Sequence, residues 1–254
     1  MNLSDLWIQE NETLEDLQLG GLKLLQKKNG FRFGMDSVLL AHFAAIRPDD
    51  LVADFGTGTV VLPLLLIGRD KGHRFYGIEI QPEYCEMAER TVQLNHLENR
   101  ISILCGDAGK ADKMLAPCSV DAVVCNPPYG KPGASLSSPF ADRAKARNQD
   151  TQTLEEFFTA AFRILKGKGK ISIVYPAPQM LHAMMLMVKC HLEPKRFQLV
   201  YPYAHKEANL VLIEGIKDAK PTLQPMKPLI IYQENKDLTN ELKSIYHIEE
   251  QNPV

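Results

Sequence analysis

Apolar and polar residues follow one another along this chain in a pattern typical of a sheet covered by helices. From residue 51 onward, short apolar runs recur, and the segments between them have the spacing of amphipathic helices. The strand-like runs are residues 51–55, 75–80, 101–104, 122–125 and 171–175. The helical patterns cover about 60–68, 82–95 and 154–165. Short apolar strands separated by helices predict a parallel sheet with helices on both faces.

Two further strand-like runs, residues 197–201 and 209–214, follow a methionine-rich helical segment. The loop of residues 202–208 between them is too short for a helical crossover and is typical of a hairpin. The pattern therefore predicts an α/β fold. Its core is a doubly wound, seven-stranded, mostly parallel sheet with an antiparallel terminal hairpin.

The segments on either side of this core have weaker patterns. Residues 17–19, before two glycines, predict a short strand and a turn, and a helix is expected at about 37–46 with Asp36 or Ser37 as its cap. Beyond about residue 236 we expect a loose helix or disorder. We divide the chain into an N-terminal extension, 1–30, a main domain, 31–216, and a C-terminal tail, 217–254.

The composition is that of a soluble globular protein. The chain has 254 residues, of which 45% are apolar and 24% charged, and no apolar run reaches the ~20 residues that span a bilayer. The first residues lack the profile of a signal peptide. Five cysteines without a C-x-x-C spacing argue against disulfides and a zinc knuckle, and the histidines are scattered. We therefore expect a cytoplasmic protein with no membrane contact and no metal.

The net charge of −2 conceals an uneven distribution. Residues 131–206 contain 12 Lys and Arg against 5 Asp and Glu, whereas both flanking parts of the chain are acidic. Such an excess can hold phosphate groups if its charges converge in space, and it equally fits ordinary solvated lysines.

A glycine loop after the first strand of the main sheet indicates a nucleotide-like cofactor. Gly56 and Gly58 allow a tight turn that brings backbone amides close to a ligand at a helix N-terminus. The next strand ends at Glu79, whose carboxylate can accept both hydroxyls of a ribose. Asp107, after the third strand, can either accept a hydrogen bond from an adenine amino group or cap a helix.

A nicotinamide cofactor is the first competitor for this pattern, and two features argue against it. Its fingerprint, G-x-G-x-x-G, needs a third glycine that is absent near Leu62 and Pro63. Asp54, before the loop, would repel a diphosphate but would suit a cationic amino-acid group. The balance favours S-adenosylmethionine.

The most specific feature is the tetrapeptide Asn126-Pro127-Pro128-Tyr129 at the end of the fourth strand. Its prolines fix the backbone and remove amide donors, so the Asn126 side-chain oxygen and the Pro127 carbonyl can hold both hydrogens of a planar amino group. The nitrogen lone pair is then aimed at a methyl donor by orientation and electrostatics, without a strong base. Tyr129 supplies a face on which a planar base or amide can stack. These four residues are the predicted catalytic group.

The motifs resemble those of class I S-adenosylmethionine-dependent methyltransferases, which have a Rossmann-like fold, and in particular their amino-methylating NPPY group. Segments 30–41 and 201–209 resemble the bacterial tRNA adenine-N6 methyltransferases that modify adenine 37 beside the anticodon of a valine tRNA. The resemblance implies RNA modification that yields N6-methyladenine, with S-adenosylmethionine as cofactor and tRNA as partner. The cofactor contacts assigned on these grounds are Phe33, Asp36, Asp54, Phe55, Gly56, Thr57, Gly58, Glu79, Ile80, Asp107, Ala108 and Asn126.

Two positions depart from the family pattern. The third glycine of the loop in many members is Val60 here, which leaves two glycines for the cofactor. After the catalytic motif, where related proteins often read Ala-Arg-His-Glu, this chain has Asn148 and Gln149 at the last two positions. The second departure bears on the identity of the substrate.

Basic residues late in the main domain are candidates for substrate contacts. The insertion at 131–150 directly follows the catalytic motif, so we interpret it as a substrate loop, against the alternative of a surface loop with incidental charge. Lys195 and Arg196, near the last hairpin, could join it in one phosphate-contacting face. The predicted substrate-binding residues are Lys131, Arg143, Lys145, Arg147, His205 and Lys206.

Other functions remain open beside tRNA adenine-N6 methylation. Protein glutamine methylation uses the same tetrapeptide but usually with a helical N-terminal domain, and ribosomal-RNA guanine-N2 methylation usually with a duplicated domain. DNA adenine methylation would need a target-recognition domain. A cofactor-binding scaffold without activity would not need residues 126–129.

Overall fold

The structure is a computed structural model that describes residues 7–28, 34–127 and 153–247. Within these ranges the strands are β1 (Glu12–Asp16), β2 (Lys23–Lys27), β3 (Leu51–Phe55), β4 (Arg74–Glu79), β5 (Ile101–Cys105), β6 (Val120–Cys125), β7 (Leu165–Pro176), β8 (Leu192–Tyr203), β9 (Leu210–Lys217), β10 (Gln224–Pro225) and β11 (Leu229–Tyr232). The helices are α1 (Met35–Phe43), α2 (Val61–Ile67), α3 (Pro82–Leu94), α4 (153–164), α5 (Met180–Lys189) and α6 (Asn240–Ile245).

Strands β3 to β9 form the central sheet, in the order β5-β4-β3-β6-β7-β9-β8. The strands from β5 to β7 are parallel, and β9 runs antiparallel to both β7 and β8. This arrangement confirms the predicted α/β fold with its antiparallel hairpin. The hairpin folds back so that β9 lies inside the sheet, and β10 and β11 add in parallel to the outer side of β8.

Helices cover both faces of the sheet because alternate strand residues point to opposite sides. On one face, Val124 packs in a core with residues of α1, α2, α3 and α6, including the fully buried Leu40 and Leu64. On the other face, Val123 packs with residues of α4 and α5, including the fully buried Phe158 and Met187. Both faces of the sheet are therefore covered by helices, and a ligand can approach it at the ends of its strands.

Helix α1 begins earlier than the sequence predicted, and its cap differs. The residue before the helix is Gly34, in an extended conformation, and it makes no side-chain capping bond. Asp36 and Ser37 lie inside the first turn, so the prediction that one of them caps the helix is wrong. The Ser37 side chain is instead buried against the sheet edge.

The N-terminal extension forms a hairpin that is docked on α3. The predicted strand at 17–19 is wrong, because these residues form the turn between β1 and β2. Both oxygens of the buried Glu12 carboxylate accept from the Arg90 guanidinium, at 2.8 and 2.6 Å. Asn95 exchanges two hydrogen bonds with the backbone of Lys23, at 2.8 and 2.7 Å.

Residues after Lys217, which the sequence assigned to a C-terminal tail, complete the core. Of the two alternatives left open beyond about residue 236, a loose helix or disorder, residues 240–245 form a helix. Leu229 and Ile231 of β11 are buried beside β8, and Leu242 and Ile245 of α6 are buried against α1. Helix α6 is capped by Thr239, whose hydroxyl accepts from the Leu242 amide at 3.3 Å. In the described ranges, none of the helices is long and apolar enough to cross a membrane.

Candidate active site

The carboxyl ends of β3, β4 and β6 bring the predicted cofactor and catalytic residues to one edge of the sheet. The register places Phe55 beside Ile78 on one side and beside Cys125 on the other. The glycine loop that follows Phe55 therefore lies between Glu79, after Ile78, and Asn126, after Cys125.

The glycine loop is held tightly over the end of β4. Gly56 and Gly58 have φ angles of 72° and 55°, in the left-handed region that glycine adopts without strain. The amides of Gly56 and Thr57 both donate to the Ile78 carbonyl, at 2.9 and 3.0 Å. A Cβ added at either glycine would meet none of the described residues within 4 Å, so these residues leave space above the loop for a ligand.

Val60 retains the backbone of a glycine although it replaces one. Its φ is 70°, a strained value for a β-branched residue, and its side chain is fully buried. The contacts of the buried side chain offset the strain. The loop therefore holds a valine at a left-handed position that glycine would adopt without strain.

Glu79 is positioned by two backbone amides. The residue is 6% exposed, Oε2 accepts from the Gly58 amide at 3.0 Å, and Oε1 accepts from the Gln81 amide at 2.9 Å. Each carboxylate oxygen can accept a second hydrogen bond. Two fixed acceptors side by side suit the two hydroxyls of a ribose.

Asp54 is a buried carboxylate that none of the described Lys and Arg side chains contacts. It is fully buried, and within the described ranges neither of its oxygens nor the Thr57 hydroxyl completes a hydrogen bond. Burial raises the pKa of Asp54 to about 7, and the Glu79 charge adds to this, while the nearby Thr57 side chain only partly opposes it. A cationic ligand group, such as an α-ammonium, that reached this carboxylate would pair with it.

Asn126 meets α1 at the end of β6. Its Nδ2 donates to the Ser37 hydroxyl across a long contact of 3.5 Å. With the amide nitrogen turned toward α1, the side-chain oxygen is left to accept from a substrate amino group. Sequence reasoning missed Ser37 as a positioning residue, since its only local signal was that of a helix cap.

Asp107 and Ile80 line the far side of the edge. Asp107 Oδ1 accepts from the Gly109 amide at 2.9 Å, and Oδ2 lies 3.1 Å from Lys110 Nζ. It therefore caps the 3-10 turn Ala108–Lys113, and its carboxylate can still accept from a further donor. Ile80 is an apolar side chain that is 63% exposed, directly after Glu79 at this edge.

The remaining predicted residues differ in what the structure says of them. The Phe55 ring is fully buried, edge-on to Phe157, so only its main chain can reach a cofactor. Ala108 is buried, whereas Asp36 is half-buried on α1. Seven predicted site residues lie outside the described ranges and stay predictions: Phe33, Pro128, Tyr129, Lys131, Arg143, Lys145 and Arg147.

The basic residues near the last hairpin differ in their contacts and exposure. Arg196 pairs with Glu214 at 2.9 Å and donates to the Phe43 carbonyl at 2.7 Å, so it is committed to the fold. Lys195 donates to the Lys220 carbonyl at 2.9 Å. His205 and Lys206, in contrast, are exposed in the loop between β8 and β9. In the ranges that the structure describes, no three potential metal ligands lie together.

The sheet order, the glycine loop and the acidic edge together define a methyltransferase of the Rossmann-like class. The chain belongs to the methyltransferase small-domain family, whose model matches residues 34–199. This confirms the methyltransferase resemblance drawn from the sequence.

Named relatives point in the same direction. A tRNA1(Val) (adenine(37)-N6)-methyltransferase from Porphyromonas gingivalis is 30% identical over 189 residues, which cover 72% of this chain and 73% of the relative. One of the same name from Histophilus somni is 26% identical over 87% of this chain and 90% of the relative. Among solved structures, a protein described as a predicted O-methyltransferase from Agrobacterium tumefaciens matches with a TM-score of 0.67 and 21% identity, over 84% of this chain and 96% of that chain. At this identity the last match shows the fold alone.

Proposed function

We propose that this protein transfers a methyl group from S-adenosylmethionine to the exocyclic N6 of an adenine in tRNA. The target named for its relatives, adenine 37 of a valine tRNA, is the proposed position. The proposal rests above all on Asn126, which stands at the end of β6 beside the glycine loop and is turned by Ser37 so that its oxygen can accept from an amino group. The enzyme would work in the cytoplasm, where its substrate is.

The residues of the edge fit S-adenosylmethionine group by group. The carboxylate of Asp54, which none of the described residues pairs with, suits the α-ammonium. The two acceptor oxygens of Glu79 suit the ribose, and Ile80 offers an apolar surface to the adenine. When bound, this cofactor supplies an electrophilic methyl group on a positively charged sulfur.

The chain's own contribution to the transfer is orientation. The Asn126 Oδ1 and the Pro127 carbonyl accept the two hydrogens of the adenine amino group, which withdraws the nitrogen lone pair from the ring and aims it at the methyl carbon. With the cofactor bound, both oxygens would stabilise the positive charge that the amino nitrogen gains as it accepts the methyl group. The nitrogen then loses one proton to water, so no buried base is needed.

The test of the substrate is methyl transfer from labelled S-adenosylmethionine to total tRNA, total ribosomal RNA and a protein extract in parallel. We expect label in tRNA, recovered as N6-methyladenosine. Label in protein on glutamine, or in ribosomal RNA on guanine, would keep the fold and the chemistry and overturn the substrate.

Asn126→Ala tests the chemistry separately. It should abolish turnover while S-adenosylmethionine affinity stays within a few-fold of wild type, because Asn126 acts on the amino group rather than on the cofactor's anchoring groups. Equal losses of turnover and affinity would mean that the motif is structural.

A further inference from the structure

The sheet has an uneven upper edge beside the proposed active site. Ile173 of β7 is level with Cys125, the last residue of β6, but β7 continues for three more residues to Pro176. Across β9, Pro176 is level with Val200, and β8 continues for three more residues to Tyr203. At ~3.3 Å per residue, the tip of β8 therefore stands on the order of 20 Å beyond the catalytic level.

Aromatic rings gather at this tip. The Tyr203 ring is stacked on that of His205, with centroids 5.6 Å apart and planes 28° apart. Tyr203 also packs against Tyr232 of β11, at 5.4 Å and 34°. Tyr203 and Tyr232 are half-buried and support the group, whereas His205 is exposed and presents the accessible ring.

The charges around the tip are mixed. Lys206 and Glu207 follow His205 directly and both are exposed, so the loop has no net charge of its own apart from the histidine. A phosphate-binding site would have an excess of cations. Exposed stacked rings without such an excess are instead suited to the face of an unpaired base, which packs by stacking and tolerates sequence.

We propose that His205, supported by Tyr203 and Tyr232, is a stacking site for an unpaired nucleobase of the RNA substrate, several nucleotides from the methylated adenine. The inference rests on the proposed function, since it assumes an RNA substrate. Because β8 is also three strands away from β6, at ~4.8 Å per step, the tip lies about 25 Å from the catalytic level in all. At ~3.4 Å per stacked nucleotide this corresponds to roughly seven nucleotides, and to fewer when the strand is extended. A second base held at the tip would fix the direction in which the strand enters the active site.

The test compares His205→Leu, which removes the flat ring at similar size, with His205→Tyr, which keeps a ring. Because His205 is exposed, neither change should disturb folding. For methylation of an unmodified tRNA, His205→Leu should raise the KM for RNA about five-fold or more, and His205→Tyr less than two-fold, with S-adenosylmethionine affinity unchanged in both. The His205→Leu effect should be the same at low and high salt, whereas any effect of Lys206→Ala should diminish with salt.

Direct binding separates this inference from the proposed function. An anticodon stem-loop RNA with 2-aminopurine at successive loop positions should show quenching at one position with wild type, lost in His205→Leu and retained in His205→Tyr. If wild type methylates tRNA but His205→Leu has an unchanged KM, or its defect is relieved by salt, the stacking site is refuted and the function stands. If wild type neither methylates nor binds RNA, the proposed function fails and the stacking site fails with it. Equal losses of RNA binding in His205→Leu and His205→Tyr, together with a loss of cofactor affinity, would show that His205 is structural and would also refute the stacking site.

Discussion

Replacing Asp54 by asparagine probes the cofactor pocket through protein stability alone. The pKa of Asp54 is raised from 3.8 to about 7 by burial, so the folded protein holds this proton more tightly than the unfolded chain does. The free energy of unfolding of the cofactor-free protein must therefore fall as the pH rises between these two pKa values. The full shift corresponds to about 4 kcal/mol, and the part between pH 5 and pH 8 to about 2 to 3 kcal/mol. The side-chain amide of the Asp54→Asn variant has no proton to lose, so this part of the pH dependence should vanish.

The assay is urea unfolding of the cofactor-free protein at pH 5 and pH 8, followed by far-ultraviolet circular dichroism. From pH 5 to pH 8, the free energy of unfolding of the wild type should fall by about 2 to 3 kcal/mol relative to that of the variant. Asp121→Asn is the matched control. Partial burial raises the pKa of Asp121, but the Lys166 ammonium and the Leu51 amide lower it by more. The pKa therefore lies below 3.8, and the carboxylate stays ionised between pH 5 and pH 8. That variant should be less stable than wild type by the same amount at both pH values.

Ionisation of the Asp54 carboxyl should also make the affinity for the cofactor depend on pH. A cationic ligand favours the ionised carboxylate, so affinity for S-adenosylmethionine should rise by up to about tenfold per pH unit below pH 7 and level off above it. Calorimetric titration should show this slope in wild type and its loss in Asp54→Asn. Parallel unfolding curves for wild type and Asp54→Asn, together with a flat affinity profile, would refute the ionisation assigned to this pocket.

Three further substitutions test other parts of the edge. Glu79→Gln should weaken S-adenosylmethionine binding by about 2 kcal/mol in calorimetry, because a charged acceptor is lost, while Glu83→Gln, at an exposed site on α3, should leave binding unchanged. Equal effects of the two substitutions would contradict the assignment of Glu79 to the ribose. Val60→Gly should lower the free energy of unfolding by only about 1 kcal/mol, because relief of the left-handed strain offsets much of the lost burial, whereas Val60→Ala should lower it by about 2 kcal/mol. A glycine variant less stable than the alanine variant would contradict the strain argument. Ser37→Ala should reduce kcat several-fold without changing cofactor affinity, because Asn126 loses its orienting contact; an unchanged kcat would show that Asn126 is held by other means.

The parts of the fold that were predictable from sequence depend on local pattern. The strand at 51–55 and the helix at 82–94 match their predictions closely, because apolar periodicity, and a proline at the first helical position of α3, mark them directly. The short strand expected at 17–19 was wrong, and strands β1 and β2 on either side of it were missed, since both are mostly polar and are stabilised by contacts with α3. Beyond about residue 236 the sequence left a loose helix and disorder both open, because the six residues of α6 give too short a pattern to decide between them.

The candidate site divides in the same way. The loop glycines and residues 126–129 are contiguous motifs, and so the sequence revealed them. The contact of Ser37 with Asn126 joins residues 89 positions apart, and the isolation of Asp54 depends on what surrounds it in three dimensions. Neither leaves a trace in local sequence. Conversely, Arg196 is a residue type that often contacts RNA, but here its guanidinium is bound to the Glu214 carboxylate and the Phe43 carbonyl.

The burial of α6 has a consequence for how this protein emerges during synthesis. Leu242 and Ile245 close the core that α1 and α2 begin some 200 positions earlier in the chain, and the Ile245 carbonyl accepts from Arg69 at 2.9 Å. A nascent chain that has not yet reached α6 therefore exposes apolar surface on α1 and α2, although every strand of the sheet has already been made. Such an intermediate is the species that chaperones and proteases would encounter. Folding of this face is thus expected to finish after translation has passed residue 245, rather than strand by strand as the sheet is synthesised.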